Sequence, residues 1–130
     1  MEAKIDDLVA ILLVEDEKIA LQLLAAILIK KYPGIALHSA VNGRAGLELF
    51  REHAPDIVIT DVNMPEMSGT QMAGAIRRLN PRTRIITLSA GDGGTLARAG
   101  GPGLETDYYL FKPINFTVLF AALVLSRRAG

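Results

Sequence analysis

Asp61 closes the apolar run "DIVIT" and opens the stretch "DVNMPEMSG", which spans 61 to 69. A strand interior offers no partner to an isolated carboxylate, so an acid there stands at an exposed strand tip or in a charged site. Taken alone, the stretch reads as a turn-opening aspartate, because Asp, Asn, Pro, Ser and Gly are the residues of loops. Other chemistry-bearing residues share its setting. Glu15 and Asp16 follow the apolar run 8–14, Ser89 ends "RIITLS", and Lys112-Pro113 follows "DYYLF". If the runs that end in Glu15-Asp16 and in Asp61 are neighbouring strands, three carboxylates converge. Crowded like charges raise one another's pKa unless a cation compensates them. A hard divalent ion bound by oxygen suits that need, Mg²⁺ or Mn²⁺ with a few carboxylates, a backbone carbonyl and retained waters. With a hydroxyl (Ser89) and an ammonium (Lys112) beside it, the set contains what phosphoryl transfer requires, and Asp61 is the candidate nucleophile.

The elements that must position these residues follow from periodicity. Short runs rich in β-branched or aromatic residues, at 8–14, 35–40, 56–60, 84–89 and 107–111, read as strands. Longer segments with helical spacing lie at 17–32, 43–53, 70–79 and 115–128, with Asn42 and Asn115 as caps and Pro33-Gly34 and Asn80-Pro81 as stops. A helix is also expected between Ser89 and the last strand, which makes the order (βα) repeated five times. Such alternation implies a doubly wound α/β fold: a parallel sheet, right-handed crossovers and helices on both faces. Ligands in these sheets bind beyond the carboxyl ends of the strands, where strand order reverses.

Composition narrows the function. At 130 residues the chain reads as a single domain. Fourteen basic residues balance fourteen acidic ones, which disfavours nucleic acid as a ligand. There is no cysteine, hence no disulfide or thiolate site, which is compatible with a cytoplasmic location. The longest apolar segments fall well short of the roughly 20 residues a membrane-spanning helix needs.

Over nearly its whole length the chain resembles a response-regulator receiver domain of two-component signalling, chemotaxis-regulator-like in organisation. The resemblance rests on "ILLVEDE", "PDIVITDVNMPEMSG", "IITLSA" and "DYYLFKPI", in that order. It implies a flavodoxin-like five-stranded sheet of order 2-1-3-4-5 and one receiver unit over 1–130, with about seven residues of N-terminal tail and no output domain in this chain. It further implies that Asp61 accepts a phosphoryl group, and that Asp16, Asp61, Glu15 (through water) and the Asn63 backbone carbonyl hold the cation. Ser89 and Lys112 contact the phosphoryl oxygens, Pro113 follows a cis peptide, and Tyr109 answers Ser89 as the switch aromatic. The implied donor is a sensor histidine kinase or phosphotransfer protein. The implied recipient is a downstream protein or a separate output domain, and the chain is not an enzyme beyond promoting its own phosphorylation and dephosphorylation.

Two rival functions share the fold. An aspartate-nucleophile phosphohydrolase wants a second aspartate two residues after the first, where this chain has Asn63. A non-phosphorylated interaction module would not need the full set of site residue types. A nucleotide binder is disfavoured because "EDEKIA" has no glycine loop.

The stretch 90–106, "AGDGGTLARAGGPGLET", departs from the family with six glycines, so its helix is expected to be short or frayed. Gly91, two beyond Ser89, has no side chain to steer an attacking water. The last helix is more apolar than one buried stripe needs, which suggests a homodimer face. His38 and His53 have no metal-ligand partner at useful spacing, and the arginines of "AIRRL" read as surface charges. Glu66 reads as a solvated loop charge.

Overall fold

The computed structural model describes residues 9–90, 97–98 and 106–129. In chain order the elements are β1 (Ala10–Val14), α1 (Lys18–Lys31), β2 (Ala36–Ala40), α2 (Gly43–His53), β3 (Ile57–Asp61), α3 (Gly69–Leu79), β4 (Arg84–Ala90), β5 (Ala97–Arg98), β6 (Tyr108–Lys112) and α4 (Phe116–Ala129). The sheet order is β2-β1-β3-β4-β6-β5. Its five long strands are all parallel, in the expected 2-1-3-4-5 arrangement once β6 is counted as the fifth.

Local chemistry sets the helix ends. The Glu17 side chain caps α1 by accepting from the Ile19 and Ala20 amides, and Pro33 follows its last turn. Asn42 caps α2 through the Ala45 amide, and Asn115 caps α4 through Val118, as the sequence suggests. α3 begins with a capping box: Ser68 Oγ accepts from the Gln71 amide while the Gln71 side chain accepts from the Ser68 amide.

Successive strand side chains point to opposite faces, and the core divides accordingly. Ile11, Leu13, Ile57, Ile59, Ile86 and Leu88 pack beneath α1 and α4, against Leu24, Leu28, Leu119 and Leu123. Leu12, Val14, Val58 and Ile85 pack against Leu47, Phe50, Met72 and Ile76 of α2 and α3. β1, β3 and β4 are thus apolar on both sides, as parallel strands covered by helices must be.

Two expectations need correction. The helix anticipated after Ser89 falls largely outside the described residues, and the two residues described there form β5, paired antiparallel to β6 through Ala97 and Tyr109. Two residues on an edge make a short strand that offers little template for further pairing. Arg77, read as a surface charge, is half-buried: Nη2 lies 2.9 Å from Asp107 Oδ2, and Nη1 donates to the Pro81 and Thr83 carbonyls. It therefore ties α3 to the start of β4 and of β6. His38 and His53, on β2 and at the end of α2, stack with centroids 4.0 Å apart and planes 13° apart. Burial, then the neighbouring His53, holds the His38 imidazole below its usual pKa.

Candidate functional site

Strand ends gather the site. Glu15 follows β1 directly, Asp61 is the last residue of β3, and the two strands pair side by side. Ligand oxygens of Glu15, Asp16 and Asp61 all lie within 4.8 Å of one another, the only group of three or more metal-capable residues among those described. Glu15 and Asp61 are 4 % and 6 % exposed, whereas Asp16 is open to solvent. The sequence therefore brings together the three acids it singled out.

Lys112 reaches this cluster from the end of β6. Its Nζ lies 3.3 Å from Asp61 Oδ2 and 3.4 Å from Glu15 Oε1. The Lys112-Pro113 peptide is cis, as the family resemblance implies. A direct ion pair between Lys112 and Glu15 was not anticipated, because nothing in the sequence distance between them signals it. The other Glu15 oxygen, Oε2, accepts from the Glu17 amide at 3.1 Å.

One ammonium against three carboxylates leaves the site short of positive charge. Burial is the main cause that pushes the Glu15 carboxyl above 4.5; the Glu17 amide opposes it, and the Asp61 charge adds to it. For Lys112, burial pulls the pKa down, but the Asp61 and Glu15 carboxylates outweigh it and the net shift is upward. Both shifts describe the same deficit. Anionic oxygens crowded in a partly desolvated recess, with an exposed acid on the rim, are a donor set that fits a hard divalent cation.

Ser89 and Tyr109 stand behind this cluster. Register places Asp61 beside Leu88, Ser89 beside Phe111, and Thr87 beside Tyr109. Since Leu88, Tyr108 and Leu110 belong to the α1/α4 side, Ser89 and Tyr109 share the opposite face as diagonal neighbours. Both are half-buried. Asn63 lies two residues past Asp61 in the exposed loop that leads to α3.

The loop after Asp61 is held tightly. The Val62 amide donates to the Leu88 carbonyl, and the Gly69 amide donates to the Val62 carbonyl. A Cβ on Gly69 would lie 2.0 Å from the Asp61 carbonyl oxygen, so only glycine permits this approach. The sequence marks Gly69 as a turn residue, and the structure shows its stricter duty as a spacer behind the acid. Met64 folds back into the α2/α3 core, while Glu66 is exposed with φ 68°, in the left-handed region.

Comparison with known proteins agrees with this geometry. The family model described as response regulator receiver domain matches residues 11–124. The probable transcriptional regulatory protein TcrX of Mycobacterium tuberculosis is 30% identical over 123 residues, covering 94% of this chain and 51% of that protein. The virulence sensor protein BvgS of Bordetella pertussis is 42% identical over 119 residues, 84% of this chain but 9% of that one. The chain thus spans about half the length of the first relative and a small part of the second. Among solved structures, the response regulator protein TrrA of Thermotoga maritima, in complex with Mg²⁺-BeF, superposes with a TM-score of 0.78 at 31% identity, covering 92% of this chain and 99% of that one. The chain is a response regulator receiver domain, a member of the family that carries signals in two-component systems.

Proposed function

We propose that the chain is a phosphorylation-dependent switch in which Asp61 takes a phosphoryl group from a phosphohistidine of a sensor kinase or phosphotransfer protein. The observation that carries this reading is the convergence of Glu15, Asp16 and Asp61 within 4.8 Å, with Lys112 Nζ at 3.3 Å from the acceptor carboxylate. An Asp61 oxygen attacks phosphorus, the P–N bond to the imidazole breaks, and the released imidazole takes up a proton. Asp16, Asp61, Glu15 and the Asn63 carbonyl are the groups that would hold Mg²⁺ or Mn²⁺, which when bound supplies positive charge for the transferring oxygens. Lys112 supplies the second cation, and Ser89 donates a hydrogen bond to the new phosphoryl group.

Added negative charge then redistributes Lys112 and Ser89 inward, and Tyr109, the diagonal neighbour of Ser89, reports the change to the β4/β6 surface. The partner that reads this surface is a downstream protein or an attached output domain. A groove of about 380 Å³ beside the site, lined by Leu23, Leu24, Ile114 and Phe116 with Glu15 and Lys112 at its edge, gives the phosphodonor an apolar seat. On this reading the chain acts on itself alone and serves as one receiver unit.

Incubation with a small acyl phosphate and Mg²⁺, read by intact mass, tests the proposal. The expected result is a single phosphoryl adduct, lost with EDTA and absent from Asp61→Asn. An unmodified mass under these conditions would favour a module that works without phosphorylation. Turnover of a generic phosphate ester would favour a phosphohydrolase.

A further inference from the structure

Lys112 reaches Asp61 only because β6 lies in one register against β4, and the sequence of β6 does little to choose that register. Tyr108, Tyr109, Leu110 and Phe111 are apolar or aromatic at every position, and among them only Leu110 is buried. Register is ordinarily set by side chains that alternate between a buried and a polar face, and this run has no such alternation. A slip of one residue would turn Lys112 to the other face of the sheet. A slip of two would carry it about 6.6 Å along the strand, at about 3.3 Å per residue. Either slip forfeits the contacts of 3.3 Å to Asp61 and 3.4 Å to Glu15. Something other than periodicity holds the strand.

That hold lies at the opposite end of β6, on Asp107 and Thr106. The ladder between the two strands opens with Ile86 beside Tyr108. One step earlier, both backbone groups of Ile85 are taken by these two residues. The Ile85 amide donates to Asp107 Oδ2 at 2.7 Å, and the Ile85 carbonyl accepts from the Asp107 amide at 2.7 Å and from the Thr106 hydroxyl at 2.9 Å. Thr106 Oγ1 in turn accepts from Thr87 Oγ1 at 2.7 Å. Arg77 Nη2 at 2.9 Å and Arg84 Nη1 at 3.5 Å hold the Asp107 carboxylate from α3 and β4. Hydrogen bonds to an ionised acceptor are stronger than those between neutral groups. Ile85, Thr87 and Thr106 are buried, so in a shifted register their polar groups would lose these partners with no water to replace them, at the full desolvation cost.

We propose that Asp107, with Thr106 beside it, is a positioning residue for phosphoryl transfer: by fixing the register of β6 at its start, it sets Lys112 against Asp61 at its end. Five residue steps separate Asp107 from Lys112, roughly 17 Å at about 3.3 Å per residue, so Asp107 touches neither the acceptor nor the phosphodonor and acts through the strand. The effect on transfer rests on the reading of Lys112 as the second cation of that reaction; the hold on the register does not.

Two measurements on the full chain test it together: phosphoryl uptake from acetyl phosphate with Mg²⁺, followed by intact mass, and amide NOEs between β4 and β6. Asp107→Ala should slow uptake at least fivefold and shift or weaken the β4–β6 NOEs, while those between β1 and β3 stay. Asp107→Asn keeps an oxygen for the Ile85 amide and should remain within about twofold of the parent rate. In a Lys112→Ala background, Asp107→Ala should change the rate by less than about twofold, because the group it positions is gone. Ser68→Ala, which weakens α3 without touching β6, should leave both readouts as in the parent, so that lost stability alone is told apart. Should Asp107→Ala not fold, Thr106→Val is held to the same results. Parental NOEs and a parental rate in Asp107→Ala overturn the proposal, and so does a further fivefold loss on top of Lys112→Ala. A parent that takes up no phosphoryl group sinks the reading of Lys112 instead, and the hold on the register then stands or falls on the NOEs alone.

Discussion

Glu15 is the residue whose environment is most at odds with its charge. Its carboxyl is held above 4.5, chiefly by burial. Between 4.5 and that raised value the folded chain keeps a proton that the unfolded chain has released, so stability falls as pH rises through the window and the full cost remains above it. Glu15→Gln should therefore melt higher than the parent at neutral pH without divalent cation, with the gain vanishing at pH values below the window. The same variant should bind Mg²⁺ more weakly, and thermal melts across pH with and without Mg²⁺ check both halves. Lys112 has the opposite sense: its raised pKa stabilises the fold below about the ordinary lysine value and is lost as pH rises through the raised one. Lys112→Ala removes the cation that faces two buried acids. Because the side chain is 36% exposed, the expected stability loss is about 1 kcal/mol, as for a partly screened pair, while the rate of phosphoryl uptake should fall at least tenfold. Residues of this kind were legible in sequence because charge at the end of an apolar strand has few explanations. The Lys112–Glu15 pair was not, since it depends on β6 closing the sheet 97 positions away.

Among the elements, the β3–α3 connection carries the strongest demands. Gly69→Ala places a methyl against the Asp61 carbonyl and should cost about 1–3 kcal/mol through forced backbone displacement. It should also slow phosphorylation, because the displaced carbonyl belongs to Asp61, the proposed acceptor. Ser68→Ala, one residue earlier, removes the cap of α3 and should cost about 0.5–2 kcal/mol while leaving the phosphoryl adduct intact. Chemical denaturation alongside intact mass separates the two. Parallel strands announce themselves as apolar runs, and Asn42 and Asn115 as caps, so the order of elements could be read directly. The capping box was hidden because Ser68 lies in a stretch whose sequence signals a loop while Gln71 falls in the next segment, read as helix, and β5 because six glycines mask any periodicity. The stack of His38 on His53 and the Arg77 tie to Asp107 arise only when separate elements meet.

For the molecule as a whole, exposed apolar surface is spread differently from the sequence expectation. Ile19, Leu23 and Ile29 leave α1 with large exposed side chains, whereas α4 exposes Phe116 and Leu125 and buries Leu119, Ala122 and Leu123. Exposed apolar surface therefore lies on α1 as much as on α4, and a homodimer through α4 is a separate proposal that sedimentation over a concentration series decides: monomer throughout, with and without phosphoryl mimic, removes it. No helix among the described residues is long and apolar enough to cross a membrane. Cation binding at this cluster would be linked to the whole fold, because Glu15, Asp16 and Asp61 come together only when β1 pairs with β3. A divalent ion at 100 times its dissociation constant should stabilise the chain by about 2.7 kcal/mol. Calorimetric titration with Mg²⁺ measures that pocket most directly. One saturable site, weakened in Asp16→Asn and in Asp61→Asn, is the expected result; no heat beyond dilution, or a titration indifferent to both substitutions, would contradict it.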